Sequence, residues 1–385
     1  MLPHPSHTVS DLPPEAASTT GNTSCEGLSG RIEQIARTRL GSLASTIDQD
    51  GYYPLDVLEE LAQAGLFSPL ANRDAPDLVQ AMRGVAAVSR WCGSTGFLVW
   101  CHMACALYLA AAPDASLNTD LLVQHLKGAR FGGTALSNPI KAQAGIEKMA
   151  LNATRVSGGY LVDGTLPWVS HIAPGQYCGA VASLGDARTE QVLFLLRLDR
   201  PELLFKCPHF SGMEGTSTWG IRLQAHFVPE QDVIAAPAAP LLQKIKAPFL
   251  LLQCGMAAGI IQGAIDSMHE VEGVLGHVNQ YLHDRPDTLA AELKTLEERV
   301  ILLARSPAPQ ERDYLLDLLD IRAHGAELAL RATQSALLHQ GARGYLSSAA
   351  PQRRVHEAQF VAIVTPAIKH LRYEMARLAQ EEVPV

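Results

Sequence analysis

Apolar positions fall into three regimes along the chain. From Arg31 to about Lys127 they recur at helical spacing, from Phe131 to about Ile234 they form short β-prone runs, and from Pro240 helical spacing returns. In the first regime Leu55, Leu58, Leu61 and Ala62 make one stripe. It runs between Pro54, a favoured first helical position, and Gly65, a favoured C-terminal cap. Further helices are predicted over about 78–89, 96–111 and 118–126. The middle regime contains Tyr160-Leu-Val, Gln191-Val-Leu-Phe-Leu-Leu, Ile221-Arg-Leu and His226-Phe-Val, separated by Gly, Pro, Asp and Asn, which predicts an antiparallel sheet or barrel. The last regime predicts helices over about 243–275, 288–305, 309–339 and 351–380, with Ser306-Pro-Ala-Pro as a break between two of them. Long helices with short connections favour an antiparallel four-helix bundle. The expected fold class is therefore α+β, mostly helical. A tail over 1–28 leads into a helical domain over 29–128, a β domain over 129–236 and a bundle over 237–385. A ligand is expected where these domains meet.

Composition narrows the function classes. With 47% apolar and 18% charged residues the chain can bury a large core. A net charge of −8 provides no basic stripe for nucleic acid. The seven cysteines are odd in number and no pair has CxxC spacing, so they read as reduced thiols of a cytoplasmic protein and not as a disulfide frame or metal site. Residues 1–25 lack a basic and apolar leader pattern and read as a disordered tail. Thr95 to Ala112 is apolar enough to suggest a membrane span, but it contains His102 and stands alone, so a buried helix and no membrane is the expectation.

Six segments, in order, carry a family resemblance over roughly Arg31 to Arg377. They are Asp48-Gln-Asp-Gly-Tyr-Tyr-Pro-Leu-Asp-Val-Leu-Glu-Glu-Leu-Ala-Gln-Ala-Gly-Leu66; Thr134-Ala-Leu-Ser-Asn-Pro139; Asp163-Gly-Thr-Leu-Pro-Trp-Val-Ser-His171; Gly212-Met-Glu-Gly-Thr-Ser-Thr-Trp-Gly-Ile221 with His226-Phe-Val-Pro229; Gln253-Cys-Gly-Met-Ala-Ala-Gly259; and Gln340-Gly-Ala-Arg-Gly-Tyr345 with Arg353-Arg-Val-His-Glu-Ala358. Together they resemble the acyl-CoA dehydrogenase superfamily. The resemblance implies FAD, with FMN as the alternative. It places Ser137 at the flavin pyrimidine edge, Trp168 against the ring, Ser170 near flavin N5, and Gly341 and Gly344 in a turn that touches the cofactor of a neighbouring subunit. A hydroxyl suits the mixed donor and acceptor edge of the ring. Read alone, Ser137 belongs to an ordinary Ser-Asn-Pro turn and Trp168 to the core of a sheet.

The chain departs from the family at its chemistry. There a glutamate removes the α-proton of a thioester as a hydride leaves for the flavin. The position of that glutamate falls on Thr365, beside Val364, and the alternative base position falls on Leu252. Thr365-Pro366 also reads as the N-cap and first residue of a final helix. Glu214 replaces an arginine, and the Gly-x-Gly-Ser-Asp run that helps hold cofactor and coenzyme A is Ile140-Lys-Ala-Gln-Ala-Gly145 here. Leu252, His102 and Val364 are the implied pocket residues, and His102 and Thr365 the catalytic candidates. A lone histidine in an apolar helix is more often a hydrogen-bonded core residue. The expected activity is α,β-dehydrogenation of an acyl thioester-like small molecule with the base displaced or absent. The alternatives are a two-component flavin monooxygenase using a C4a-hydroperoxyflavin and a non-catalytic flavoprotein. The implied partners are an electron acceptor or a flavin reductase, and a second copy of the chain in a homodimer or homotetramer.

Overall fold

The computed structural model describes residues 25–113, 115–185 and 190–380. Of the expected tail, 1–24 lie outside the described residues, while Cys25 to Leu28 already belong to the first helix, α1 (Cys25–Ile35). The chain continues through a π-helical stretch into α2 (Gly41–Asp50). In α3 (Leu55–Gln63), Pro54 is the residue before the helix and not its first residue; Gly65 follows at φ +95°. The buried stripe of α3 is Val57, Leu58, Leu61 and Ala62, with Leu55 only half-buried. α4 (Leu78–Trp91) starts where the Asp77 side chain accepts from the Gln80 N–H. Next come α5 (Gly93–Ala111) and α6 (Ala115–Leu126). Gly93 to Leu109 of α5 are all buried, as an apolar surface all round a helix requires.

The sheet comprises β1 (Gly132–Thr134), β2 (Leu151–Val156), β3 (Gly159–Val169), β4 (Tyr177–Leu184), β5 (Gln191–Arg197), β6 (Leu204–Lys206), β7 (Trp219–Pro229) and β8 (Val233–Ala235). Its order is β6-β7-β3-β2-β4-β5-β8, with β1 on β4. The antiparallel expectation needs correction, because β4 runs parallel to both β1 and β2. The runs at Ile221 and His226 also join into the single strand β7. β4 gave no alternating signal because both its faces are covered, Tyr177 to Ser183 all being buried. Short α7 (Ser137–Gln143) sits between β1 and β2.

The bundle consists of α8 (Ala239–Asn279), α9 (Pro286–Arg305), α10 (Arg312–Gln340), α11 (Ala350–Ile363) and α12 (Ile368–Gln380). The single helix expected over 351–380 is thus broken at Val364–Ala367, across a cis Thr365–Pro366 peptide, and the final helix starts at Ile368 and not at Pro366. α8 packs across α4, α5 and α10 to form the main core, and a second core lines the sheet. Both α5 and α8 are long and apolar enough to cross a membrane, so α5 does not stand alone in this respect; each is 89% buried inside the protein over its most apolar window.

Candidate functional site at the sheet–bundle junction

Strand β3 ends in a β-bulge. Leu166 pairs with Ile221 and Val169 with Trp219, so three residues of β3 advance against two of β7. The extra residue resets the alternation: Leu166 and Val169 both point into the core, and Pro167 and Trp168 both point out. Trp168 is 62% exposed, which removes it from the core position that strict alternation would assign. Ser170 follows immediately, with its Oγ 2.6 Å from Thr218 Oγ1; Thr218 Oγ1 lies 2.8 Å from Thr216 Oγ1, and the Thr216 hydroxyl donates to the Met213 carbonyl at 2.7 Å.

This row of hydroxyls rests on a strained turn. Among the described residues, the non-glycine residues with positive φ are His171, Met213, Ser217 and Ala225, and the first three surround the row. Asp48, at the end of α2, accepts from the Met213 N–H at 2.9 Å. Gly215 brings the turn so close to α2 that a Cβ there would lie 2.5 Å from the Ile47 side chain. Gly133 of β1 runs equally close to the neighbouring backbone, where a Cβ would lie 2.6 Å from the Ser170 carbonyl. The start of α7 is therefore held near the end of β3.

Ser137 is the first residue of α7 and not part of an open turn. Its exposed hydroxyl meets the Thr365 hydroxyl at 2.7 Å, although 228 positions separate them in sequence. The break that carries Val364 and Thr365 is braced from below. Gln253 of α8 donates to the Thr365 carbonyl at 2.9 Å and accepts from Arg322 Nε at 2.7 Å, and Arg322 also donates to the Val361 carbonyl at 2.8 Å. Burial pushes the Arg322 guanidinium down to about 10. It stands at the C-terminal end of α11, where the helix dipole favours a cation. Gln253 and Arg322 carried no functional signal in the sequence; two polar side chains on apolar helix faces were the hint.

The remaining candidates lie elsewhere. Leu252 is fully buried in α8. Gly341 ends α10 at φ +60° with open space around it, while Gly344 is needed by its own turn, where a Cβ would lie 2.6 Å from Gln340 Cβ. His102 is fully buried and stacks on His125 with ring centroids 3.5 Å apart. Its Nε2 donates to the His125 carbonyl at 2.9 Å, and its Nδ1 accepts from the Gly132 N–H at 3.3 Å. With both nitrogens engaged, His102 is part of the core and not a group facing a pocket. Burial, followed by the neighbouring histidines, holds its pKa well below the ordinary value.

No protein-family model matches the chain. Benzylmalonyl-CoA dehydrogenase of Aromatoleum aromaticum is 23% identical over 236 residues, 59% of this chain and 62% of that enzyme, so the match spans less than two thirds of the relative's length. A short-chain specific acyl-CoA dehydrogenase of Clostridium acetobutylicum is 19% identical over 361 residues, 86% of this chain and 91% of its own. The chain is thus similar to acyl-CoA dehydrogenases over most of its length, which supports membership of their superfamily. The same relatives support the class of flavin-dependent oxidoreductases for it. Among solved structures, a glutaryl-coenzyme A dehydrogenase complex shares the fold at a TM-score of 0.79 and 15% identity, covering 91% of this chain and 94% of its own. A dibenzothiophene monooxygenase from Paenibacillus sp. A11-2 shares it at 0.75 and 14%, covering 93% and 98%.

The junction suits the flavin of this superfamily. Trp168 offers an open indole face, Ser170, Ser137 and Thr365 offer hydroxyls, and among the described residues no charged side chain hydrogen-bonds to any of them. A flat neutral ring with a mixed donor and acceptor edge is what such a surface can hold. Next to it, Leu136, Pro139, Ile140, Phe249, Leu250 and Pro366 wall a cavity of about 380 Å³ between α7, α8 and α12. Its polar lining includes Lys246, Glu374 and Arg377. Glu374 bonds Lys246 at 3.0 Å and His370 at 2.8 Å. Although burial acts the other way, the bond from His370 and the charge of Lys246 bring its carboxyl down to about 2.

Proposed function

We propose that the protein is a flavin-dependent oxidoreductase that removes hydrogen from the α and β carbons of an acyl thioester or similarly activated acyl group. The observation that carries this reading is the outward Trp168 beside the Ser170 hydroxyl row, facing solvent where strict strand alternation would bury it. In this reading Trp168 stacks on the isoalloxazine, Ser170 faces its N5 edge and Ser137 its pyrimidine edge. FAD, when bound, supplies the hydride acceptor. The cavity beside Pro366 receives the acyl group, and the Gln253–Arg322 brace fixes the Thr365 backbone at its entrance. Two relatives named as dehydrogenases support the reaction class.

One observation favours a second reading. Thr365 and Leu252 supply no carboxylate, and Glu374, the acid lining the cavity, is held near 2 and is a weak acceptor for an α-proton. A monooxygenase on the same fold, given reduced flavin by a partner reductase, needs no such base. Anaerobic mixing of the FAD-loaded protein with acyl-CoAs of graded length separates the two. Bleaching of the flavin absorbance with any chain length supports dehydrogenation. No bleaching, with oxygen incorporated into an organic substrate after chemical reduction, supports the second. Val274, Tyr281, Leu302 and Leu338 expose apolar surface on the bundle, which supports self-association into a dimer or tetramer; light scattering tests it.

A further inference from the structure

We infer that Thr216 and Thr218 fix the direction of the Ser170 hydroxyl, so that its oxygen faces the flavin as a hydrogen-bond acceptor and the protein favours the reduced cofactor. This inference rests on the reading in which Ser170 lies at the flavin N5 edge.

The direction follows from counting protons. Each hydroxyl carries one proton and can accept through its lone pairs. The row ends on the Met213 carbonyl, which can only accept, so the Thr216 proton is committed to it. Between Thr216 and Thr218, at 2.8 Å, Thr218 must then be the donor. Between Thr218 and Ser170, at 2.6 Å, Ser170 must donate in turn. The row cannot reverse without leaving the Thr216 hydroxyl oxygen and the Met213 carbonyl oxygen facing each other at 2.7 Å with no proton between them. Met213 is itself held by Asp48 through its N–H, and its carbonyl also receives the Thr216 N–H at 3.1 Å. The end of the row is therefore the rigid part and the Ser170 oxygen the part that faces outward.

A flavin N5 is an acceptor when oxidised and carries a proton when reduced. An oxygen whose own proton is turned inward pairs with the second form and opposes the first. Thr216 and Thr218 are on this account positioning residues, two links removed and one link removed from the cofactor.

The test is the midpoint potential of bound FAD, measured by anaerobic reductive titration against a reference dye. Thr216→Val keeps the volume and the backbone bond to Met213 but removes the anchoring hydroxyl, so that Thr218 and then Ser170 can turn round. The expected result is about a tenfold loss of preference for reduced over oxidised flavin, about 30 mV more negative for a two-electron couple. Thr216→Ser restores the wild-type potential. An unchanged potential in Thr216→Val, or a failure of Thr216→Ser to restore it, overturns the inference. Should Thr216→Val not fold, Thr218→Val breaks the row one link nearer Ser170 and is read in the same way. If the wild-type protein takes up neither FAD nor FMN, the functional reading falls and this inference with it; a flavin that binds but ignores Thr216 overturns the inference alone.

Discussion

Ser170 and His171 are consecutive residues that belong to opposite kinds of polar structure. On the serine side, three hydroxyls lead outward from a fixed carbonyl and finish at an oxygen beside an exposed indole. On the histidine side the polar groups close on themselves. His125 donates through Nε2 to the His102 carbonyl at 2.8 Å and accepts through Nδ1 from the Tyr177 hydroxyl at 2.8 Å. His171 Nδ1 meets the Tyr53 hydroxyl at 2.8 Å, and Tyr53 accepts from Gln176 at 2.8 Å. Only His171 Nε2 and Gln176 Oε1 are left without a protein partner in that group. A closed network rigidifies and an open one is available to a ligand. The two should therefore respond to different perturbations: under the proposed function, changes among the histidines act on stability and changes in the hydroxyl row act on flavin binding.

Removing His102 should give the largest effect. His102→Ala leaves the Gly132 N–H and the His125 carbonyl without their partners and opens a hole beside His125 and Phe67, whose ring centroids lie 3.5 and 4.2 Å away. A cavity plus orphaned polar groups costs about 3–5 kcal/mol. Urea unfolding should show that loss, while FAD affinity per folded molecule stays within about threefold. Loss of flavin binding with unchanged stability would reverse the assignment and return His102 to the pocket.

Acid should separate the two sides next. Burial brings His125 down to about 4 and His171 to about 3, against 6.5 for an ordinary histidine. Above 6.5 folded and unfolded chains both keep these rings neutral, so stability does not depend on pH through them. As pH falls below 6.5 the unfolded chain takes up protons that the fold refuses, and stability is lost, by up to about 1.4 kcal/mol per pH unit for each ring, until the folded pKa is reached. Glu374 acts in a separate window: its folded pKa of about 2 lies below its ordinary 4.5, so its contribution is present above 4.5 and is lost as pH falls toward 2. Urea midpoints measured from pH 7.5 to 4.5 should fall steadily below 6.5. The hydroxyl row holds no titratable group, so flavin affinity per folded molecule should stay flat over the same range.

Trp168 gives a smaller effect of the opposite kind. Its ring is 62% exposed, so Trp168→Ala should change unfolding free energy by less than about 1 kcal/mol. If it stacks on the flavin, the same change should weaken FAD binding by about 1–3 kcal/mol, or roughly five- to a hundredfold. Fluorescence titration with FAD distinguishes this from a surface tryptophan, which would leave affinity untouched.

The sequence exposed the order of the architecture and concealed the joints. Helices with one apolar face, such as α3, followed from periodicity, and β5 from its continuous, turn-bounded apolar run. β4 did not: like β5 it is covered on both faces and shows no alternation, and its small residues Gly179, Ala180 and Ala182 dilute the apolar run that marked β5. The outward turn of Trp168 depends on one extra residue opposite β7, and a bulge leaves no mark in hydrophobic pattern. The row from Ser170 to Thr216 joins two motifs that were visible separately, in the order the family has them. The Gln253–Arg322 brace was not legible as a pair: Gln253 opens a segment that carried the resemblance, but no spacing joins it to Arg322, 69 positions on.

The smallest effect tests whether the serine side extends to the bundle. Ser137 and Thr365 share a hydroxyl contact of 2.7 Å near the surface, so its loss alone should cost about 0.5–1 kcal/mol of stability. In a double-mutant cycle of Ser137→Ala and Thr365→Val, the coupling energy for unfolding should be of that size. The more telling number is the coupling for FAD binding. If Ser137 turns from Thr365 to the pyrimidine edge when flavin enters, the Thr365→Val variant starts with Ser137 already free and should bind FAD slightly more tightly than wild type, by a factor of about two to five, with the gain abolished in the double mutant. If instead both hydroxyls serve only to pin α7 against the 364–367 break, each single change weakens FAD binding, and the open surface ends at Ser170.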